Sequence, residues 1–127
     1  MKIALYLKSE LDDNDIEVIK TVFNDFEMDK VVIVPSMKNC SSEREFNHLV
    51  FQIFFKLREN DLAHDVKIST IELKLIPPYH RYAIWHALKN NYCNDKVFIL
   101  CTEDSIKEIS DWTNGEMILK EFEFLIV

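Results

Sequence analysis

Two short apolar runs with an amphipathic stretch between them, all within the first 35 residues, constrain this chain more than any other feature. Lys2-Ile3-Ala4-Leu5-Tyr6-Leu7 and Val31-Val32-Ile33-Val34-Pro35 are continuous and rich in Ile, Val and Leu. Such runs suit strands covered on both faces of a parallel sheet. Between them Ile16, Ile19, Val22, Phe23 and Phe26 recur at three- and four-residue spacing. Asp12, Asp13 and Asp15 precede them as an acidic first turn, which the helix dipole favours. The spacing predicts a β-α-β unit.

The alternation continues down the chain. Ser36 to Ser41 reads as a polar loop, and Ser42-Glu43-Arg44-Glu45 predicts a capping box. The helix it opens has an apolar face of Phe46, Leu49, Val50, Ile53, Phe54 and Leu57. Phe51 and Phe55 widen that face and are assigned to the core, with a partner chain as the alternative. Val66 to Leu73 predicts a third strand, and Pro77-Pro78 interrupts the chain before a helix from Tyr79 to Asn91. Val97 to Cys101 is a fourth strand, Ser105 to Trp112 and Gly115 to Glu121 are short helices, and Phe122 to Val127 is a last strand. Strands separated by helices imply an α/β fold: a Rossmann-like, doubly wound parallel sheet of about five strands with helices on both faces. Residues 1–127 are expected to form a single domain. Ligands of such sheets bind beyond the carboxyl ends of the strands where strand order reverses. The loop from Lys8 to Asp13 is therefore the place to look. The strand edges at 66–73 and 122–127 could pair between chains.

Composition narrows the function. The net charge is −7 with no basic patch, which argues against nucleic acid as a partner. No apolar run reaches the roughly 18–20 residues of a bilayer span, so no membrane partner is expected. The N-terminal run is too short for a signal peptide, and the expected location is the cytoplasm. Three cysteines (Cys40, Cys93, Cys101) without a C-x-x-C pair argue against disulfides and zinc ribbons. Cys40 has no histidine neighbour to make it a nucleophile, and Cys101 reads as core. His48, His64 and His86 stand alone, and no metal site is expected. The cluster Asp12-Asp13-Asn14-Asp15 lacks the glycine and spacing of a calcium loop and reads as a solvated helix turn. Glycine is the telling count. There is one, Gly115, where average usage would give about nine. A phosphate cradle needs backbone that approaches without a Cβ, and this chain has little of it.

At this point the order of elements meets particular residues. MKIALY, KVVIVPS, VKISTIELKLIPP before a helix, and FILCTEDSIKEISDW together resemble the bacterial nicotinate-nucleotide adenylyltransferases along nearly the whole chain. The most specific match is Asp104-Ser105 with Trp112 seven residues on, the family's D-S-(x)6-W segment. The helix near Glu43 resembles the family's H-R-x-x-M helix. The resemblance implies transfer of the AMP part of ATP to nicotinate mononucleotide, giving deamido-NAD and pyrophosphate with Mg²⁺ as helper.

The family's signature after the first strand is G-G-S/T-F-D-P-x-H-x-G-H, whose glycines admit phosphate and whose histidines stabilise it. Here the stretch is Leu7-Lys8-Ser9-Glu10-Leu11-Asp12-Asp13-Asn14-Asp15-Ile16-Glu17. Ser9 matches; the glycines are Leu7, Lys8 and Ile16, and the histidines are Asn14 and Glu17. Five carboxylates crowd positions 10–17. One like-charge contact at roughly 4–5 Å costs about 3–4 kcal/mol at an effective dielectric near 20. The family's C-terminal S-S/T-x-x-R motif has no counterpart within these residues. Its Pro-Ser-Tyr-Thr run corresponds to Pro78-Tyr79-His80-Arg81, where Pro78 is kept. Trp112, near the nicotinate ring in the family, is also kept, while Thr102 replaces the glycine after the fourth strand.

The expected reading is a degenerate adenylyltransferase-like domain, catalytically inactive, that binds a nucleotide or pyridine nucleotide or a protein partner, itself included. The alternative is a remodelled transferase using Lys8, Ser9 and His80 or Arg81, with Mg²⁺. A third is one module of a longer polypeptide. Ligand-binding candidates are Ser9, Pro78, His80, Arg81, Asp104 and Trp112; Lys8 and Ser9 are the catalytic candidates. His80-Arg81 fits either an anion site at a helix start or side chains packed over the prolines.

Overall fold

The computed structural model describes residues 1–38, 40–74, 81–111 and 115–127. Strands β1 (Lys2–Tyr6), β2 (Lys30–Ile33), β3 (Val66–Ile68), β4 (Lys96–Cys101) and β5 (Glu123–Ile126) form one five-stranded sheet in the order β3-β2-β1-β4-β5. Every neighbouring pair is parallel. Helices α1 (Asp13–Asp25), α2 (Glu43–Glu59), α3 (Arg81–Asn91), α4 (Glu103–Glu108) and α5 (Gly115–Glu121) lie in the crossovers. The doubly wound α/β architecture read from the sequence is the observed one.

The pleat explains why the strand runs are continuous. Ala4 and Tyr6 of β1 face a layer made by Ile16, Ile19 and Val22 of α1 and by Ile53 and Leu57 of α2. Ile3 and Leu5 face the opposite layer, where Ile84, Trp85 and Leu88 of α3 meet Ile109 and Ile118. Alternate residues point to opposite faces, so a strand covered twice has no polar positions. β1 sits at the centre, pairing Ala4 with both Val31 and Phe98. Strand order reverses between β1 and β4, which sets the expected ligand position at their carboxyl ends.

Several element limits differ from the sequence reading. The third strand stops at Ile68 instead of Leu73. Ser69 N–H still donates to Ile33 O at 2.8 Å, but the Ser69 hydroxyl then accepts from Ile71 N–H and starts a 3-10 turn, Ile71–Lys74. The ladder is traded for a local side-chain cap. The fourth helix begins at Glu103 rather than Ser105, because the Thr102 hydroxyl accepts from Ser105 N–H as N-cap. It gives way to a 3-10 turn at Ile109–Asp111. In α2 the Ser42 hydroxyl accepts from Glu45 N–H as foreseen, but the Glu45 carboxylate reaches back to Ser41 N–H and Oγ and not to Ser42. Without glycine, two left-handed positions after helices fall to Glu27 (φ 54°) and Asp61 (φ 57°), where a Cβ is tolerated at a cost.

The assignment of Phe51 and Phe55 to the core is corrected. Phe46, Ile53 and Leu57 are buried, whereas Phe51, Phe54 and Phe55 are exposed. The sheet needs only one stripe of α2, and the remaining aromatic residues face outward. Leu57→Ala is therefore expected to lower the unfolding free energy by about 2–5 kcal/mol. Phe51→Ala should change it by less than about 0.5 kcal/mol. Urea titrations of the two variants check this, and a larger loss in Phe51→Ala would mean that α2 faces the other way.

Candidate functional site at the carboxyl ends of β1 and β4

Where strand order reverses, a cavity of about 230 Å³ opens between the ends of β1 and β4. Tyr6, Lys8, Trp85, Cys101, Thr102, Ser105 and Glu108 line it. A larger cleft of about 430 Å³, lined by His86, Lys89, Cys93 and Asp95, lies at the amino end of β4. Position decides between them: parallel sheets gather loops and helix N-termini at the carboxyl ends, and that is where ligands bind.

The site is built around Asp15. Asp15 begins the second residue pair of α1, yet its side chain turns inward and the residue is only 3% exposed. The Tyr6 hydroxyl donates to its Oδ1 at 2.7 Å, and Lys8 Nζ pairs with the same oxygen at 3.2 Å. Asp12 N–H donates to its Oδ2 at 3.0 Å, while Asp12 Oδ1 accepts from Asp15 N–H at 2.8 Å. This is a reciprocal capping box at the start of α1. The acidic turn is thus not simply solvated, as its sequence suggests; one of its carboxylates is a buried structural centre.

The electrostatics follow. Burial opposes the charge on Asp15, but the bonds from Tyr6 and Asp12 N–H and the Lys8 ammonium outweigh it and hold the carboxyl below its ordinary value. Burial, then the bond to Asp15, pushes the Tyr6 phenol far up and keeps it a neutral donor. Lys8 is spent as the counter-ion of Asp15 and also lies 5.6 Å over the Tyr6 ring. Two amides at the start of α1, those of Asp12 and Asp15, already donate to the chain's own carboxylates. Asp13 projects outward and pairs with Lys56 of α2.

Ser9 is engaged too. Its hydroxyl accepts from Ser36 N–H at 3.1 Å, tying the loop after β1 to the loop after β2. Glu72, fully buried in the 3-10 turn after β3, accepts from the Ser36 hydroxyl at 3.0 Å and from Met37 N–H at 2.9 Å through Oε1. Its Oε2 has no hydrogen-bond partner among the described residues. Burial pushes this carboxyl up, more than the two bonds pull it down. Cys40 sits beside this junction, its Sγ 3.9 Å from Ser36 O. Burial and the Glu45 and Glu72 carboxylates raise its thiol, which leaves it a poor nucleophile. Cys101, read as core, is half-buried and lines the cavity, and burial raises its thiol as well.

Of the other candidates, Asp104 lies exposed in the first turn of α4. Arg81 opens α3, and Pro78, His80 and Trp112 lie outside the described residues. Tyr6, Asp15, Ser36, Glu72, Ser105 and Glu108 were not singled out as site residues from sequence. A tyrosine ending an apolar strand and a lone glutamate inside Thr70-Ile71-Glu72-Leu73 are the signals that could have found two of them. Among the described residues no group of three His, Cys, Asp or Glu could hold a metal ion. Asp12, Asp13 and Asp15 are each committed to a cap or an ion pair, so the loop does not fit Mg²⁺.

Two pH effects follow from these carboxyls. Asp15 has a folded value below the ordinary 3.8, so its stabilisation is complete above that value and is lost as pH falls through the folded one. Asp15→Asn should cost about 1.5–3 kcal/mol near neutrality, and the gap to the parent should shrink in acid. Glu72 has a folded value above the ordinary 4.5, so stability declines as pH rises through it. Relative to the parent, Glu72→Gln should melt at a progressively higher temperature from pH 4 to pH 8. Thermal melts across that range test both signs.

No protein-family model and no curated protein matches the sequence. Solved structures do match the fold. A Vibrio parahaemolyticus protein assigned as a nicotinate-nucleotide adenylyltransferase aligns over 98% of this chain and 72% of its own, with a TM-score of 0.75 at 19% identity. Plasmodium falciparum nicotinic acid mononucleotide adenylyltransferase, complexed with APC, aligns over 99% and 73%, with a TM-score of 0.74 at 15% identity. Its complex with NaAD gives 99% and 74%, with a TM-score of 0.75. The fold of this chain is therefore the one those adenylyltransferases use.

Proposed function

We propose that this chain is a degenerate relative of the nicotinate-nucleotide adenylyltransferases, a binding module that keeps the fold and has lost adenylyl transfer. The observation that carries the reading is the internal use of Lys8, of the Ser9 hydroxyl and of the capping amides of Asp12 and Asp15 at the end of β1. Lys8 neutralises Asp15, the α1 cap is filled by Asp12 and Asp15, and Ser9 holds Ser36. A triphosphate would have to displace a buried carboxylate from the Lys8 ammonium and then face Glu10, Asp12 and Asp13.

The cavity that remains is small. About 230 Å³ lies below the roughly 300–1,000 Å³ of drug-sized sites. It suits one ring-sized fragment beside Trp85 and Tyr6, with Ser105, Thr102 and Glu108 as polar contacts. Since the Plasmodium enzyme is complexed with NaAD, a pyridine nucleotide is the first ligand to try. Protein partners are the other class of occupant this module would serve.

With ATP, nicotinate mononucleotide and Mg²⁺, pyrophosphate release is expected at the level of a vector-only control. Mg·ATP should leave the melting temperature within about 1 °C, because only ligands that bind the folded state raise it. Turnover above the control that disappears in Lys8→Ala would overturn the proposal in favour of a remodelled transferase. A pyridine nucleotide that raises the melting temperature in the parent but not in Ser105→Phe, which fills the cavity, would support it.

A further inference from the structure

Two charged side chains line the cavity between the ends of β1 and β4, Lys8 and Glu108, and they are not equivalent. The Lys8 ammonium stands 3.2 Å from the Asp15 carboxylate, whose side chain is 5% exposed, and 5.6 Å over the Tyr6 ring. Its charge is cancelled within the protein. Glu108, the last residue of α4, is exposed and has no ion-pair partner among the described residues. The positions one helical turn to either side are Asp104 and Asp111, so the helix supplies no compensating cation there. Lys107, about 100° around the helix, is not among the lining residues. The cavity therefore carries one uncompensated negative charge. Its other polar groups are neutral: the Thr102 hydroxyl accepts from Ser105 N–H and donates to Ser105 Oγ at 3.0 Å, which leaves the Ser105 hydroxyl proton for a ligand. Tyr6 and Trp85 add aromatic wall.

We propose that the cavity selects a heteroaromatic cation with no anionic substituent, such as a pyridinium carboxamide, and that Glu108 determines the choice. This rests on the reading that the cavity holds one ring. An anionic group entering it meets a carboxylate with no counter-charge, and desolvating it there is costly. A cationic ring meets that carboxylate as its partner and aromatic side chains as its wall. The net charge of −7 on the chain acts in the same direction at longer range. Any phosphate that such a ligand carries stays outside the cavity. Because Glu108 is exposed, its pairing with the cation is screened, and it contributes at most about a five-fold change in affinity.

Titrations of 1-methylnicotinamide (a cation), nicotinamide (neutral) and nicotinate (an anion) near neutral pH, followed by ligand NMR, separate charge from ring shape. In the parent, affinity is expected to fall in that order. Glu108→Gln should weaken 1-methylnicotinamide by about five-fold and leave nicotinamide within about two-fold. Ser105→Phe, which fills the cavity, should remove binding of all three. A parent that binds nicotinate as tightly as the cation, or a cation preference that survives Glu108→Gln, would overturn the proposal and leave ring binding in place. A parent that binds none of the three, or binding that survives Ser105→Phe, would overturn ring binding in the cavity as well.

Discussion

The buried carboxylate of Asp15 is the interaction on which the rest of this site depends. A charge that is 3% exposed persists only if it is paired and hydrogen-bonded. Three groups meet that need from three local origins: the Tyr6 hydroxyl from the end of β1, the Lys8 ammonium from the loop, and Asp12 N–H from the helix cap. Each is thereby fixed in place. The strand, the loop and the helix start become one unit, within which Lys8 neutralises Asp15. In the family signature that this stretch resembles, the same positions are glycine and histidine. Here the charge is built into the chain, and its counter-charge is built in beside it.

The scarcity of glycine and this carboxylate network belong together. A glycine loop leaves its amides for a ligand; a loop of Leu7, Lys8, Ser9 and Glu10 brings side chains that cover the backbone. Those side chains then take over the bonding. Ser9 accepts from Ser36, and Ser36 and Met37 donate to Glu72. The loops after β1, β2 and β3 are joined by this chain of contacts across one half of the sheet's carboxyl end. The opposite half, from β1 to β4, keeps a cavity. The carboxyl end of the sheet is thus closed by side chains on one half and open on the other.

The fold was legible because its signals are local and repeated. Continuous apolar strands, three- and four-residue helix spacing and the Ser42 cap all specify the same doubly wound sheet, and agreement between levels is what makes a pattern readable. The site was less legible because its decisive contacts join residues far apart, as Ser36 and Glu72 do, or reverse the usual preference of their residue type. An aspartate in an acidic helix start is ordinarily solvated; nothing in Asp12-Asp13-Asn14-Asp15 tells which carboxylate turns inward. The answer depends on Tyr6, whose hydroxyl must find an acceptor once its ring is buried. Phe51 and Phe55 went astray for the opposite reason. Periodicity shows that a helix has more apolar surface than one stripe, but not whether the surplus meets the sheet or the solvent.

That surplus has a physical bearing on the whole molecule. The sheet buries Phe46, Ile53 and Leu57 and gains nothing from the three outward phenylalanines, which leave apolar surface in water on a chain of net charge −7. Like charge keeps copies apart at long range. α2 is the crossover from β2 to β3, so its inner face is anchored to the half of the sheet whose loops are tied together by Glu72. The tie through Glu72 and the cavity between β1 and β4 therefore lie on opposite halves of the sheet's carboxyl end.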